Sequence, residues 1–178
     1  MSDSELKPAQ LLVENLRLFT SLETENGVLD LACGTGRNGL FLLEHNIPVT
    51  FADNNRACLE EIERRCEHNP LAKTWLVDLE TKDEDPLTGK IFDGILVFHY
   101  LHRPLFASLR NAVRPGGLIA YETFTRAQSR FGRPTNPDFL LEDGELVAEF
   151  ADWQILQQFT GELEHPPRAI ANLVARRP

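Results

Sequence analysis

A glycine-rich stretch near the start of the chain has the residue types and spacing that can hold a nucleotide. Val28–Gly39 reads VLDLACGTGRNG, and from Gly34 onward it contains the pattern G-x-G-x-x-G. An acid, Asp53, follows nineteen residues after Gly34. Glycines let a ligand approach the backbone, and an acid at this distance suits the hydroxyls of a ribose. A dinucleotide such as NAD is therefore one ligand that this stretch could bind.

Asp30 does not belong to the dinucleotide pattern. It is a charged residue near the end of an apolar strand-like run, four positions before Gly34. A cofactor other than NAD is therefore also possible for this stretch. Asp53 also has an alternative role, because an acid that follows a strand caps the next helix as often as it binds a ligand.

A second group of reactive side chains follows the fourth strand-like run, in the segment FHYLHRP. This segment places His99, Tyr100 and His102 close together. Because the unperturbed pKa of histidine lies close to neutral pH, one of the two histidines could act as a general base. The alternative is that His99 caps a strand and His102 caps a helix. We expect Glu122, at the end of the next strand-like run, near the same site.

Three arginines, Arg126, Arg130 and Arg133, stand in a loop without acids that runs from Thr125 to Pro137. In an acidic protein, this local basic cluster could bind a small oxyanion or a carboxylated substrate through charge-assisted hydrogen bonds. We expect the loop to act as a lid over the cofactor. The alternatives are a solvated loop, or arginines that pair with acids elsewhere in the chain.

Two further basic residues, His165 and Arg168, precede the last strand-like run. Pro166 and Pro167 place them in a loop, where they could contact an acceptor. Cys33, inside the glycine stretch, is instead expected to pack beneath the loop, because no base stands beside it in the sequence.

The chain alternates between strand-like and helical segments, which predicts an α/β domain with a mainly parallel sheet. Leu12, Leu16 and Phe19 form the apolar stripe of a first helix. Seven strand-like runs follow: GVLDLA, VTFAD, KTWLVD, FDGILVF, GGLIAYETF, WQILQQF and AIANLVARR. Helices are predicted between them at Arg37–Glu44, Arg56–Cys66, Leu105–Val113 and Glu145–Phe150.

Composition limits the classes of partner. The 178 residues suit one domain spanning 1–178, and 27 acidic against 18 basic residues give a net charge of −9, which disfavours binding to long nucleic acids. The three cysteines form no C-x-x-C pair, and no His, Asp or Glu cluster has the spacing of a metal site. With no long apolar run, we expect a cytoplasmic protein that does not span a membrane.

VLDLACGTG closely resembles the first motif of class I S-adenosylmethionine-dependent methyltransferases. Later features match in the same order: Asp53 resembles the ribose-binding acid of this family, VDLE with Asp78 resembles its adenine-binding segment, and RPGGLIAYETF resembles its turn into the fifth strand. The resemblance covers about Leu12 to Arg176. It implies a three-layer Rossmann-like methyltransferase fold, with a mainly parallel seven-stranded sheet and an antiparallel last strand.

The resemblance gives Asp30 a physical role. S-adenosylmethionine carries an ammonium and a sulfonium, which an acid complements, whereas the same acid would repel a pyrophosphate. S-adenosylmethionine is therefore favoured over NAD. The residues expected to contact this cofactor are Asp30, Ala32, Gly34, Gly36, Asp53, Asn54, Asp78, Leu79 and Phe98.

The chemistry expected is methyl transfer to a small-molecule acceptor. Residues expected at the reacting end are His99, Tyr100, His102 and Glu122, and those expected to bind the acceptor are Arg126, Arg130, Arg133, His165 and Arg168. The small size and the segment GRPTNPDFLLEDGEL make the chain similar to tellurite-resistance-type methyltransferases. Two alternatives stay open: a protein or RNA methyltransferase, with or without a partner subunit, and a non-catalytic module that binds S-adenosylmethionine. The oligomeric state is not predicted.

Overall fold

A computed structural model of the protein describes residues 7–81 and 84–178 and contains a seven-stranded sheet. The strands are β1 Val28–Leu31, β2 Val49–Asp53, β3 Ala72–Leu76, β4 Phe92–Phe98, β5 Val113–Phe124, β6 Gln154–Glu164 and β7 Pro167–Arg176. Their order in the sheet is β3-β2-β1-β4-β5-β7-β6. Only β7 runs against its neighbours β5 and β6 within this sheet. The predicted mainly parallel sheet with an antiparallel last strand is therefore confirmed.

Helices cover both faces of the sheet and complete three layers. They are α1 Gln10–Glu14, α2 Leu16–Thr20, α3 Arg37–Glu44, α4 Arg56–Arg65, α5 Phe106–Ala112 and α6 Glu145–Glu149. Leu12, Phe19, Leu42 and Ile62 of α1 to α4 belong to one buried apolar cluster, on one face of the sheet. The helices α5 and α6 contribute to a second cluster on the opposite face. The strands β1 and β4 between the two clusters are buried along their whole length, as central parallel strands usually are.

The first helix differs from its prediction. The apolar stripe from Leu12 to Phe19 predicts one helix, whereas the structure has two five-residue helices that meet at Asn15. The Asn15 side-chain amide donates to the carbonyl of Leu11 at 2.8 Å and to Oε1 of Gln157 at 2.7 Å. Asparagine side chains compete with the helical backbone in this way, so the break follows from the residue type. No helix in residues 7–81 and 84–178 has the length and apolar character needed to cross a membrane.

The parallel strands all end at the same edge of the sheet, and this geometry positions the candidate site. β1 and β2 run in register from Val28 beside Val49 to Leu31 beside Ala52, and β4 lies on the other side of β1. The loops after these strands therefore meet at one edge, which is where ligands bind in folds of this kind.

Candidate active site

The glycine loop after β1 has one side open to a ligand. Ala32, Gly34 and Gly36 all have positive φ, at 52°, 53° and 75°. A Cβ added to Gly34 would meet no atom of the described residues within 4 Å, apart from its chain neighbours, whereas one added to Gly36 would come within 2.7 Å of Cδ1 of Ile62. The space beside Gly34 is thus free for a ligand, and the space beside Gly36 belongs to the core.

Asp53 fastens the loops after β1 and β2 to each other. Its Oδ2 accepts from the backbone amide of Gly34 and its Oδ1 from that of Asn55, both at 2.8 Å. Because each carboxylate oxygen has two lone pairs, both oxygens can accept a further bond from a ribose hydroxyl. The cap of α4 is Asn55, whose Oδ1 accepts from the amides of Ala57 and Cys58. The alternative role of Asp53 as helix cap is therefore filled by Asn55.

Asp30 lies beneath the glycine loop and is 2% exposed. Its Oδ2 accepts from the backbone amide of Gly39 at 2.8 Å. Burial raises the pKa of Asp30 to about 7, against the lowering effects of the Gly39 amide and the Arg37 guanidinium. Asp30 can therefore gain or lose its charge near neutral pH.

A cavity of about 140 Å³ lies beside Asp53 at the ends of β2 and β3. Its lining residues are Ala32, Asp53, Asn54, Val77, Asp78, Leu79, Glu80 and Tyr100. The cavity therefore brings together five of the residues predicted to contact the cofactor, Ala32, Asp53, Asn54, Asp78 and Leu79. We call it the cofactor cavity. Phe98 does not line it, and its side chain packs in the apolar cluster under α1 to α4.

A larger cavity of about 690 Å³ lies beside the cofactor cavity at the ends of β4 and β5. Its lining residues are Glu80, His99, Tyr100, Leu101, Phe124, Arg133, Pro134, Thr135, Asn136 and Phe139. Glu80 and Tyr100 line both cavities, and the Tyr100 hydroxyl donates to Oε1 of Glu80 at 3.3 Å. We call the larger space the acceptor cavity. Of the side chains predicted for the reacting end and the acceptor, it contains His99, Tyr100 and Arg133.

His99 is held at the wall of the acceptor cavity in a neutral state. Its ring stacks on Phe124 with the ring centroids 4.8 Å apart, and its Nε2 lies 3.8 Å from Oε1 of Glu122. Partial burial, together with the charges of Arg37 and Arg168, lowers the pKa of His99 to about 4. At neutral pH the imidazole is therefore uncharged and can accept a hydrogen bond.

Glu122 is buried behind His99 and is oriented from the neighbouring strand. Nδ2 of Asn172 donates to Oε2 of Glu122 at 3.0 Å. Oδ1 of Asn172 and Nε of Arg168 are buried side-chain atoms without a hydrogen-bond partner among the described residues. Sequence reasoning missed Asn172, because only the pairing of β5 with β7 brings it opposite Glu122.

Two of the three loop arginines are ion-paired. Arg126 pairs with Glu142 and Arg130 pairs with Glu162. For these two arginines the structure shows the alternative given above, pairing with acids elsewhere in the chain, because Glu142 and Glu162 lie outside the loop. Arg133 lines the acceptor cavity, and its side chain has no ion pair or hydrogen bond to residues 7–81 or 84–178.

The loop that carries Arg133 is tied to the scaffold at both ends. Nε2 of the buried Gln128 donates to the carbonyl of Arg133 at 3.1 Å, and Oε1 of Gln128 accepts from the amide of Ala169 at 2.9 Å. At the other end, the Arg103 guanidinium donates to the carbonyls of Asp138 and Leu140. Arg103 also forms a two-bonded ion pair with Glu145. These anchors argue against the free lid that the loop composition predicts.

The remaining predicted residues lie outside the two cavities. His102 precedes a 3-10 turn at Arg103–Leu105 and makes no side-chain cap bond to it. His165 is exposed in the loop before β7, whereas Arg168 lies on β7 and not in the predicted loop. Neither histidine lines a cavity described above.

A family of methyltransferase domains matches residues 28–117, just over half of the chain. A curated relative, glycine N-methyltransferase of Mus musculus, is 31% identical over an alignment of 116 residues that covers 53% of this chain and 39% of that protein. The chain thus spans about two fifths of the length of this relative.

Solved structures share the fold at low sequence identity. TehB from Haemophilus influenzae superposes with a TM-score of 0.74 at 22% identity, over 94% of this chain and 61% of that one. The N-methyltransferase NodS from Bradyrhizobium japonicum, in complex with S-adenosyl-L-homocysteine, gives a TM-score of 0.69 at 17% identity, over 93% of this chain and 85% of that one.

Proposed function

We propose that the chain, which belongs to the family of methyltransferase domains, is an S-adenosylmethionine-dependent methyltransferase whose acceptor is a small organic molecule bound in the acceptor cavity. The observation that carries the proposal is the wall shared by the two cavities. Glu80 and Tyr100 line both, so a cofactor on one side and an acceptor on the other would be neighbours.

The residues around the cofactor cavity fit S-adenosylmethionine. The open side of Gly34 leaves room for a ligand against the backbone, and the free lone pairs of Asp53 suit two ribose hydroxyls. Asp30 lies beneath the loop, where its charge favours a cation. When bound, this cofactor supplies a methyl group on a sulfonium that is a good leaving group.

The protein's own contribution to the reaction is to align the acceptor and exclude other orientations. The neutral His99 imidazole accepts a hydrogen bond from an acceptor hydroxyl, amine or thiol and orients it. Glu122, 3.8 Å from His99, stabilises the imidazole when it takes a proton. Asn172 orients Glu122, and the buried Oδ1 of Asn172 and Nε of Arg168 are an acceptor and a donor without partners among the described residues.

Size and charge support a small organic acceptor. A volume of about 690 Å³ is in the range of pockets that hold small organic ligands, which is about 300–1,000 Å³. An inorganic oxyanion would leave most of this space empty. A nucleic acid would meet a protein with a net charge of −9.

The proposal can be tested with radiolabelled S-adenosylmethionine and a cell extract divided by dialysis into metabolites and macromolecules. We expect label to pass into the metabolite fraction. Label in protein or RNA alone would contradict the proposal, and binding of the cofactor without transfer to either fraction would identify a non-catalytic module.

The cofactor site has its own matched pair of variants, Gly34→Ala and Gly89→Ala. Both glycines have positive φ and open space around the added Cβ, so both variants carry a similar backbone strain. Only Gly34 lies in the loop beside Asp53. We expect Gly34→Ala to weaken binding of S-adenosylhomocysteine by about tenfold or more, or about 1.4 kcal/mol.

Calorimetry of the two variants decides between a ligand site and a merely tight turn. Gly89→Ala should bind S-adenosylhomocysteine like the wild type. Equal affinity of Gly34→Ala and Gly89→Ala would show that the space beside Gly34 is not used by the cofactor.

A further inference from the structure

The charge distribution in the acceptor cavity points to one class of acceptor. Building on the function proposed above, we propose that the acceptor is a small aromatic molecule with a carboxylate, and that Arg133 binds this carboxylate. The reacting hydroxyl, amine or thiol then lies at the end of the cavity that His99 and Tyr100 form.

Arg133 differs from the other arginines of its loop in being available to a ligand. Arg126 and Arg130 are neutralised by Glu142 and Glu162. Arg133 makes no such pair within the described part of the chain, and it is the single arginine or lysine among the ten residues that line the cavity. A guanidinium matches a carboxylate with two parallel hydrogen bonds, which a neutral or cationic acceptor cannot form.

The backbone of Arg133 is also held in place before any ligand binds. Gln128 is 5% exposed and bonds to the carbonyl of Arg133 and to the amide of Ala169 on β7. The backbone that carries the guanidinium is therefore fixed to the sheet. A fixed backbone reduces the ordering cost of binding and favours one acceptor orientation.

The walls of the cavity suit a flat ring. Phe124, Tyr100 and Phe139 contribute aromatic side chains, and Leu101 and Pro134 contribute apolar surface. Phe139 is 47% exposed, so its ring is accessible to a ligand in the cavity. Aromatic rings favour stacked or edge-on contacts with another ring.

The negative charge of Glu80 and the positive charge of Arg133 distinguish two ends of the acceptor cavity. Glu80 lies at the wall shared with the cofactor cavity, whereas Arg133 lines the acceptor cavity alone. A carboxylated acceptor would therefore avoid Glu80 and bind with its charge at Arg133. The reacting atom uses its lone pair to form the bond to the methyl carbon, the electrons of the sulfur–methyl bond stay on sulfur, and the proton of the acceptor passes to His99 and then to solvent.

The test uses two sets of probes and two matched variants. The acceptors are 4-hydroxybenzoate, 4-aminobenzoate and 4-mercaptobenzoate, each compared with its methyl ester, and selenite represents an inorganic oxyanion. The variants are Arg133→Gln and Arg130→Gln, which remove exposed guanidiniums from the same loop. Formation of S-adenosylhomocysteine measures turnover, and calorimetry with the S-adenosylhomocysteine-loaded protein measures acceptor binding.

We expect at least one carboxylate to be methylated with a kcat/KM about tenfold or more above that of its ester. Arg133→Gln should remove this preference by raising KM and Kd about tenfold, and Arg130→Gln should leave both unchanged. Affinity for S-adenosylhomocysteine should be the same in all three proteins.

Several results would overturn the inference and leave the proposed function intact. These are equal turnover of esters and carboxylates, or an Arg133→Gln variant that behaves like Arg130→Gln. Turnover with selenite only would overturn the small organic acceptor of the proposed function as well. Binding of S-adenosylhomocysteine without turnover of any probe would also reject this acceptor class. A wild-type protein that does not bind S-adenosylhomocysteine would instead reject the proposed function itself.

Discussion

Asp30 is a carboxyl group whose charge at neutral pH depends on its surroundings. Burial, together with the charge of Asp53 and against the Gly39 amide and Arg37, raises its pKa to about 7. The Cys33 thiol beside it stays protonated, because burial raises its pKa as well. The ammonium of a bound cofactor would favour the ionised form of Asp30, so binding and proton release should be linked.

We expect the affinity for S-adenosylhomocysteine to increase about tenfold between pH 6 and pH 8, because Asp30 loses its proton over this interval. The pKa of His99, at about 4, lies below this range. Calorimetry across the interval measures the effect. In Asp30→Asn the affinity should be lower and independent of pH, since asparagine keeps the acceptor for the Gly39 amide but carries no charge.

The same variant tests the sign of the effect on stability. The pKa of Asp30 is higher in the folded protein than in an unfolded chain, so its contribution to stability is present at low pH and is lost as the pH rises from about 4 to about 7. The wild type should therefore lose more free energy of unfolding between pH 5 and pH 8 than Asp30→Asn does. The difference in stability between the two proteins should shift in favour of Asp30→Asn over this interval. A wild-type affinity without pH dependence would show that Asp30 keeps one charge state throughout.

At the scale of elements, the loop after β5 forms one wall of the acceptor cavity and is fixed by side-chain hydrogen bonds. Gln128 fixes its first half and Arg103 fixes its end, and the hydrogen bond of the Arg103 guanidinium to Glu145 raises the pKa of Arg103. The loop composition, with three arginines and no acid, gives no sign of these partners. It therefore predicts a mobile lid, whereas the structure shows an anchored loop. Both anchors come from residues that sequence reasoning did not select.

Gln128→Ala should loosen this wall without affecting the cofactor cavity. The change leaves the amide of Ala169 and the carbonyl of Arg133 without their partner, which costs about 1–3 kcal/mol for buried groups. We expect a several-fold higher acceptor KM, unchanged affinity for S-adenosylhomocysteine, and faster trypsin cleavage after Arg126 and Arg130.

Ser129→Ala is the matched control, because Ser129 is exposed on the same 3-10 turn and its hydroxyl bonds, among the described residues, only to the carbonyl of Arg126. It should resist trypsin like the wild type. Rapid cleavage of the wild type itself, slowed by ligands, would restore the lid as the better description.

For the whole molecule, alternation of apolar segments was enough to predict the sheet and its layers. The strands and the helices α3, α4 and α5 could be predicted because their apolar residues recur at short, regular spacings within each segment. The sites at strand ends followed as well, because parallel strands end at one edge. The sequence could not predict two of the contacts at the site. Asn172 meets Glu122 through the register of β7 with β5, and Gln128 meets Ala169 because a loop brings distant segments together.

We propose that the described residues fold as one cooperative domain, and two tryptophans can test this. Trp75 lies on β3, at one edge of the sheet, and Trp153 directly precedes β6, at the other edge. Both contact the same apolar cluster. In the single-tryptophan variants Trp153→Phe and Trp75→Phe, denaturant unfolding followed by fluorescence and by far-ultraviolet circular dichroism should give one midpoint within each variant.

A disagreement between the two probes within either variant would divide the sheet into separately unfolding parts. The comparison is made within each variant because each substitution shifts overall stability by its own amount.

Half of the acceptor-cavity lining, Arg133, Pro134, Thr135, Asn136 and Phe139, comes from one loop that is secured by side chains at its two ends. The cofactor cavity draws on none of these residues. On the function proposed above, mutations in this loop would change acceptor binding without changing cofactor binding, so acceptor choice could diverge among related proteins that keep the same cofactor. The loop between Gln128 and Leu140 is therefore a segment that protein engineering can exchange. If Gln128 and Arg103 are kept, we expect a new loop sequence to change the acceptor while the scaffold stays the same.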